Sequence, residues 1–356
     1  MTGAGESHVG VEPAVARGLG FLAGAAREAD GLWQDFQLAP GPSTDWVSGF
    51  AAVAIAGVAP GAPEAQRAIA ALTRRARRAG GWGYNEHVQI DGDSTAWGLL
   101  ALAEGRQVSP LTVRKALDAL VRHQGDTGGF ATYISPDGPP ARGAFRADWF
   151  APQPCVTAAA VMALLAHGEP PDGAAIRNAA AFLARARCAW GGWSSCWWTG
   201  PRYPTYHAAL VLGWLGGLSS ADRDAIARAT VAAACADGGW SDRGAELGEP
   251  FATALAIRTL LLGDPDPEVD AAIRRGVRWL VAAQCADGAW RSTPMLRVPD
   301  VTEHGIAGEF ADDGRCFTTA TVIGALDQAG RQPRDPDASR RAGAAAAPGR
   351  AAETSR

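Results

Sequence analysis

Two aspartates stand two residues apart in DGDSTAWGLLALAEG, residues 91–105, directly before an apolar run. Two chemistries fit that pattern. Asp91 could cap a helix, with Ser94 three residues on and Asp93 favoured in the first turn by the helix dipole. Alternatively, a carboxyl group held among apolar side chains has its pKa raised, stays protonated at neutral pH and can act as a proton donor. Taken alone, DGDS reads as a cap. The choice depends on what surrounds Asp93, and so on the helices that position it.

Six segments carry a glycine two residues before a large aromatic. EADGLW ends at Trp33, RAGGWGY holds Trp82, HQGDTGGF ends at Phe130, RCAWGGW at Trp193, ACADGGW at Trp240 and QCADGAW at Trp290. Before each runs a helical pattern with apolar residues at 3–4 spacing, as in RRGVRWLVAAQ, and after each a second helix rich in Ala, Leu and Val. The second helices, such as FAAVAIAG and VTAAAVMALLA, are apolar on all sides and must be buried on all sides. That favours a closed barrel over an open solenoid: an all-α (α/α)6 toroid of six inner and six outer helices. The repeats fill residues 14–330 as one domain. Residues 1–13 are expected to form a flexible N-terminus and residues 331–356, aperiodic and rich in Pro, Arg, Ala and Gly, a disordered tail. The six aromatics, and Cys188, Cys235 and Cys285 beside three of the turns, recur by position and read as packing.

Bulk composition narrows the function. A net charge of −4 with no basic face argues against a nucleic-acid partner. No run of about 18 uncharged apolar residues occurs, so no transmembrane segment is expected and any membrane contact would be peripheral. The N-terminus lacks a signal-peptide pattern, and the six cysteines form no C-x-x-C pair, which fits a reducing cytoplasm.

Aligning the inner helices on their Thr-Ala or equivalent start places Trp46, Asp93, Cys155, Thr205, Phe251 and Phe317 at one level. One turn deeper, on the same face, come Phe50, Trp97, Ala159, Ala209, Leu255 and Thr321. A cavity at this end would be aromatic and aliphatic with one carboxylic acid in its wall. The other five repeats carry no carboxylate at the level of Asp93, whereas a cap needed for folding should recur more evenly. The proton-donor reading is therefore preferred.

The repeat RRGVRWLVAAQCADGAW resembles the QW motif of terpene and squalene–hopene cyclases through its basic residue, its aromatic, Gln284, Gly288 and Trp290. RKALDALVRHQGDTGGF is similar through Gln124, Gly128 and Phe130; the other four repeats lack the glutamine. DGDSTA resembles the DxDD-T-A motif of class II, protonation-initiated cyclases, with Asp91 and Asp93 on the first two acids and Ser94 on the third. The segments CWWTGPRYPTYHAAL and QPCVTAAA also look similar to bacterial members. The resemblance spans about residues 14–330, a single cyclase domain. It implies that Asp93 protonates a terminal alkene or epoxide, with Asp91 tuning it. In hopene cyclases a histidine hydrogen-bonds the acid; here that position is Ala159, and His207, one repeat further round, either substitutes for it or is a packed core imidazole.

Metal chemistry finds little support. Prenyltransferase β-subunits bind zinc through an Asp-x-Cys pair and a histidine on neighbouring inner helices; here DDGRCF spaces Asp313 and Cys316 three apart, and no inner helix follows to carry the histidine. No Mg²⁺-binding aspartate-rich motif is evident, since DPDPEVD lies in a Pro-broken loop. Two long connections, residues 131–154 and 291–314, should lie over the cavity mouth. They carry Arg142, Arg146, Trp149, Phe150, Arg291 and Arg297, whose arginines could hold a diphosphate or be ordinary surface charges.

The expectation is a class II terpene cyclase acting on a linear polyprenyl diphosphate or prenyl-arene. Protonation would need no cofactor, with Mg²⁺ relevant only to a diphosphate substrate. Trp46, Phe50, Trp97, Trp149, Trp198, Tyr203, Phe251 and Phe317 would line the cavity and stabilise cations. The alternatives are a non-catalytic toroid that binds a prenyl chain or a partner, and a protein related to prenyltransferase β-subunits.

Overall fold

The computed structural model describes residues 10–106, 108–134, 149–299 and 308–331. Among them are twelve helices in strict alternation. The outer set is α1 (Val11–Ala25), α3 (Pro63–Arg75), α5 (Pro110–Val121), α7 (Ala174–Arg185), α9 (Ser220–Ala232) and α11 (Pro267–Ala282). The inner set is α2 (Asp45–Val58), α4 (Gly92–Ala103), α6 (Pro154–Ala166), α8 (Arg202–Trp214), α10 (Pro250–Leu260) and α12 (Cys316–Arg331). Each inner helix packs on the next, and α12 packs on α2, so the inner ring closes. The fold is the (α/α)6 toroid. Its first helix begins at Val11, three residues before the expected boundary.

The Gly-x-aromatic turns fasten the two layers together. The glycine has positive φ in all six repeats, from +76° at Gly31 to +103° at Gly191, a region an L side chain rarely adopts. At Gly80 a Cβ would also meet the Lys115 carbonyl at 2.1 Å, because α5 packs directly on the turn. The aromatic residue's backbone N–H then donates to a hydroxyl on the following inner helix. The pairs are Trp33 with Ser48 (2.9 Å), Trp82 with Thr95 (3.2 Å), Phe130 with Thr157 (2.8 Å), Trp193 with Thr205 (3.0 Å), Trp240 with Thr253 (2.9 Å) and Trp290 with Thr319 (3.5 Å). The five indoles reach the other way. Their Nε1–H groups donate to carbonyls of Leu22, Leu72, Leu183, Thr230 and Leu280 in or beside the preceding outer helix, at 2.7–2.9 Å. Gln124 and Gln284 add a tie to the next repeat, each bonding its own turn glycine's carbonyl and a carbonyl of α7 or α1.

These hydroxyl pairs define the true register of the inner ring and correct one repeat of the sequence alignment. Counting back two residues from Ser48, Thr95, Thr157, Thr253 and Thr319 gives Trp46, Asp93, Cys155, Phe251 and Phe317, as expected. In the fourth repeat the hydroxyl is Thr205 itself, so Tyr203 belongs at the upper level and His207, not Ala209, one turn deeper. Thr205 is a fastener, not a wall residue.

Ring closure depends on features with no repeat signature. A hairpin of β1 (Asp35–Leu38) and β2 (Gly41–Ser43) presents Asp35, whose carboxylate accepts from the backbone N–H of Gly314, Cys316 and Phe317 at the start of α12. Asp312 accepts from the Thr318 backbone N–H at 2.6 Å, the Thr318 hydroxyl at 2.8 Å and the Ser292 hydroxyl. The first repeat thereby caps the last inner helix. A second hairpin, β3 (Leu296–Val298) with β4 (Gly308–Phe310), lies in the connection before α12.

Thr253 is fully buried, so Thr253→Val leaves the Trp240 N–H without its acceptor at nearly unchanged volume. Urea unfolding should show a loss of ~1–3 kcal/mol, the cost of an orphaned buried donor. Thr253→Ser keeps the hydroxyl and should lose less. A valine variant as stable as the parent would show that the fastening contributes nothing.

Candidate active site

The two aspartates prove to be different devices. Asp91 is the N-cap of α4, accepting from the Ser94 backbone N–H and the Ser94 hydroxyl, both at 2.7 Å. Asp93, two residues on in the first turn of α4, has its Oδ1 buried with no hydrogen-bond partner. Protein surrounds it on every side, yet the residue keeps partial accessibility. The carboxyl is thus set in the interior of the ring, near Trp46, Cys155 and Tyr203.

Electrostatics follow from this difference. Burial pushes the Asp93 carboxyl up to about 8, the neighbouring Asp91 charge adds to the shift, and the nearby Trp46 indole offsets a little of it. Trp46 Nε1 makes no well-aligned hydrogen bond, so burial dominates. Asp91 is raised to about 7, again by burial, against the two Ser94 donors. Asp91 is therefore the easier of the two to ionise, and Asp93 keeps its proton at neutral pH.

Most of the expected wall residues converge around this acid. Phe50 and Phe317 stack with ring centres 3.8 Å apart, Phe50 meets Trp97 edge-on at 4.7 Å, and Trp46 lies 5.0 Å from Phe317. Across the ring Trp198 stacks on Tyr203 at 3.8 Å and on Phe251 at 5.6 Å. Phe36 joins from the β1 hairpin, 5.4 Å from Phe317, with φ +48°. Tyr84 stacks on Trp46 at 6.3 Å and donates its hydroxyl hydrogen bond to the Phe36 carbonyl. Neither Phe36 nor Tyr84 was expected from the repeat register, because both come from turns outside the inner helices.

Trp149 sits among the connecting segments. It stacks on Tyr133 at 5.7 Å, meets Trp197 edge-on at 5.2 Å and donates to the Pro299 carbonyl. The Arg297 N–H donates to the Trp197 carbonyl, so three connections meet here. Arg142 and Arg146 lie outside the described residues. Arg297 is half-exposed and paired with Glu309 at 3.2 Å, and Arg291 is exposed.

His207 does not substitute for the acid's missing histidine. Its Nδ1 is 2.9 Å from the Tyr203 carbonyl, one helical turn back, and no hydrogen bond joins it to Asp93. The imidazole is buried and its pKa is lowered to about 3, so it is neutral. Cys155 instead sits beside the acid on the adjacent helix, its thiol 3.1 Å from the Ser195 hydroxyl. Cys316 donates its backbone N–H to Asp35, and among the described residues no three His, Cys, Asp or Glu side chains are grouped to hold a metal ion. Asp35 and Asp312, two further buried carboxyls, are held above the usual range by burial. No described helix is long and apolar enough to cross a membrane.

No family model matches the chain. Among curated proteins, the drimenyl diphosphate synthase of Streptomyces showdoensis is 29% identical over 236 residues, which is 63% of this chain and 40% of that enzyme. The chain thus spans well under two thirds of that relative's length. Among solved structures, a variant of the type II terpene cyclase MstE from Scytonema, in complex with its substrate geranylgeranyl dihydroxybenzoate, matches with a TM-score of 0.78 at 26% identity, over 91% of this chain and 98% of that one. A protein from Actinoplanes matches at 30% identity and a TM-score of 0.75, over 90% of this chain and 99% of that one. With six Gly-x-aromatic repeats, a closed toroid and an acid pair at the start of one inner helix, this chain is similar in sequence and fold to type II, or class II, terpene cyclases over nearly its whole length.

Proposed function

We propose that the protein cyclises a linear isoprenoid by protonating its terminal alkene, with Asp93 as the acid. The observation that carries this reading is the contrast within DGDS: one carboxyl is consumed as a helix cap and the other keeps a buried, unpartnered Oδ1 near the aromatic Trp46 and Tyr203. The Asp93 proton adds to the terminal carbon of the alkene, and the tertiary cation is attacked by the next double bond. Ring by ring, positive charge moves along faces of Trp46, Phe50, Trp97, Trp198, Tyr203, Phe251 and Phe317. Each face attracts a desolvated cation by about 2 kcal/mol or more without offering it a nucleophile. Asp91 holds the helix end and, through its charge, keeps the proton on Asp93; Ser94 secures Asp91.

The head group would lie at the mouth, under the connections joined by Trp149. Nearly whole-length similarity to a cyclase solved with a prenylated dihydroxybenzoate favours a prenyl-arene substrate. A prenyl diphosphate is the competing class, and Arg142 and Arg146 are its candidate holders, with Mg²⁺ as a counter-ion. Incubating the protein with geranylgeranylated arenes and with prenyl diphosphates, with and without Mg²⁺, distinguishes them by mass spectrometry. Arene turnover indifferent to Mg²⁺ and to Arg142→Ala or Arg146→Ala is the expected result. Turnover of the diphosphate alone would reverse the assignment.

Asn caps helices about as well as Asp, so a local structural role for Asp93 is preserved to within a fraction of ~1 kcal/mol by Asp93→Asn. That variant should keep its melting temperature and lose cyclisation. Wild-type reaction in D₂O should place one deuterium on the terminal methyl-bearing end of the product. A variant that turns over normally would make Asp93 a structural residue and overturn its role as the acid, whereas a parent protein that forms no cyclic product would leave a non-catalytic prenyl-binding toroid as the reading. The pH dependence has a fixed sign. Both carboxyls have folded pKa values above the ordinary 3.8, so the stability they contribute is full below that value and is lost as pH rises through about 7 and 8. Turnover should likewise fall as pH passes about 8; a rate that rises there would contradict Asp93 as a protonated donor.

A further inference from the structure

The cavity wall contains one group that neither donates the first proton nor merely fills space. We propose that His207 is the base that ends the reaction, removing a proton from the cyclised cation through Nε2. This rests on the cyclase reading above and assigns the step that reading leaves open.

Position comes first. In the corrected register His207 lies one helical turn deeper than the Asp93 level, at the level of Phe50, Trp97, Ala159, Leu255 and Thr321. Its ring meets Trp97 edge-on with centres 5.8 Å apart. His207 is on α8 and Trp97 on α4, and these helices are separated in the ring by α6. The contact therefore bridges two inner helices that are not neighbours in the ring. Tyr203 packs 4.2 Å from the imidazole on the other side.

The tautomer follows from the hydrogen bond. A carbonyl oxygen can only accept, so Nδ1, 2.9 Å from the Tyr203 carbonyl, carries the hydrogen. Nε2 is then an unprotonated lone pair, and it makes no hydrogen bond among the described residues. Burial and the nearby charge of Arg258, whose guanidinium lies 4.4 Å over the Tyr206 ring, keep the imidazole neutral. A weak base suffices, since a tertiary carbocation is an extremely strong acid. The other polar groups around the cavity suit the task less well. Cys155 and Tyr203 stay protonated, the Thr321 hydroxyl donates to the Phe317 carbonyl, and indole nitrogens are not basic.

The step balances. A C–H bond next to the cationic carbon breaks, its electron pair becomes the new C=C bond, and the proton goes to Nε2. One proton has entered from Asp93 and one leaves to His207, so the product is an isomer of the substrate. The imidazolium, disfavoured by burial, passes its proton to solvent after product release, and Asp93 is reprotonated from solvent.

The test is the product spectrum of His207→Phe and His207→Gln, which remove the base and keep much of its volume. Losing the His207 side chain need not orphan the Tyr203 carbonyl, because that acceptor lies one turn back within α8. Both variants should still consume substrate, within about tenfold of the parent rate. The parent alkene should fall at least several-fold as a share of product, replaced by alcohols from water capture or by isomers with a shifted double bond. If His207→Phe fails to fold, His207→Gln decides alone. An unchanged product ratio in a folded variant overturns the inference, as does an alcohol as the parent enzyme's main product, or total loss of substrate consumption in a folded variant. Failure of the cyclase reading looks different: the parent protein would then form no cyclic product at all.

Discussion

The whole architecture hangs on one short interaction, the backbone N–H of a turn aromatic donating to a hydroxyl two residues past the wall position of the next inner helix. It occurs in all six repeats and ties the rotation and height of each inner helix to its outer partner. An inner helix that slid by one residue would turn its wall side chain by ~100° and take a new set of residues out of the interior. The glycine's positive φ makes the turn tight enough for the bond, and the indole N–H anchors the same residue to the outer layer. Catalytic geometry is thus set by repetition, and the single acid is an exception placed within a repeated frame.

That exception works because its neighbour absorbs the ordinary demand. Something must satisfy the first N–H groups of α4, and Asp91 with Ser94 does so. Asp93 is freed from capping and enters a space where ionisation is opposed by burial and by a second carboxylate two residues away. The closing of the ring repeats the logic at another place. Asp35 and Asp312 together satisfy the start of α12, and both are spent on structure. Buried carboxylates are costly unless paired or hydrogen-bonded. Asp93 is the one whose cost is met by neither, which separates it from the structural acids.

What could be read from the sequence was what recurs. Glycine-aromatic turns, alternating helices of two polarities and closure into a toroid follow from periodicity, and five of six wall positions follow from the Thr-Ala register. The fourth repeat is misaligned because Thr205 is followed by Tyr206 while His207-Ala208 stands in for Thr-Ala, and only the bond to Trp193 shows that Thr205 is the fastener. His207 was consequently placed by motif distance instead of by level, and its relation to Trp97 was hidden. Phe36, Tyr84 and Asp35 were not legible either. They reach the site from a hairpin and a turn whose short, irregular sequences carry no period. Their contacts join residues far apart in the chain, such as Asp35 with Cys316.

The central claim is that Asp93 stands protonated at neutral pH in front of a capped, more acidic Asp91. Infrared difference spectra between the parent protein and its Asp93→Asn variant measure this directly, since a protonated carboxyl and a carboxylate absorb apart. The expected result is a protonated carboxyl band at pH 7 that belongs to Asp93 and disappears with a midpoint near pH 8. A carboxylate signal from Asp93 already complete at pH 6 would contradict it.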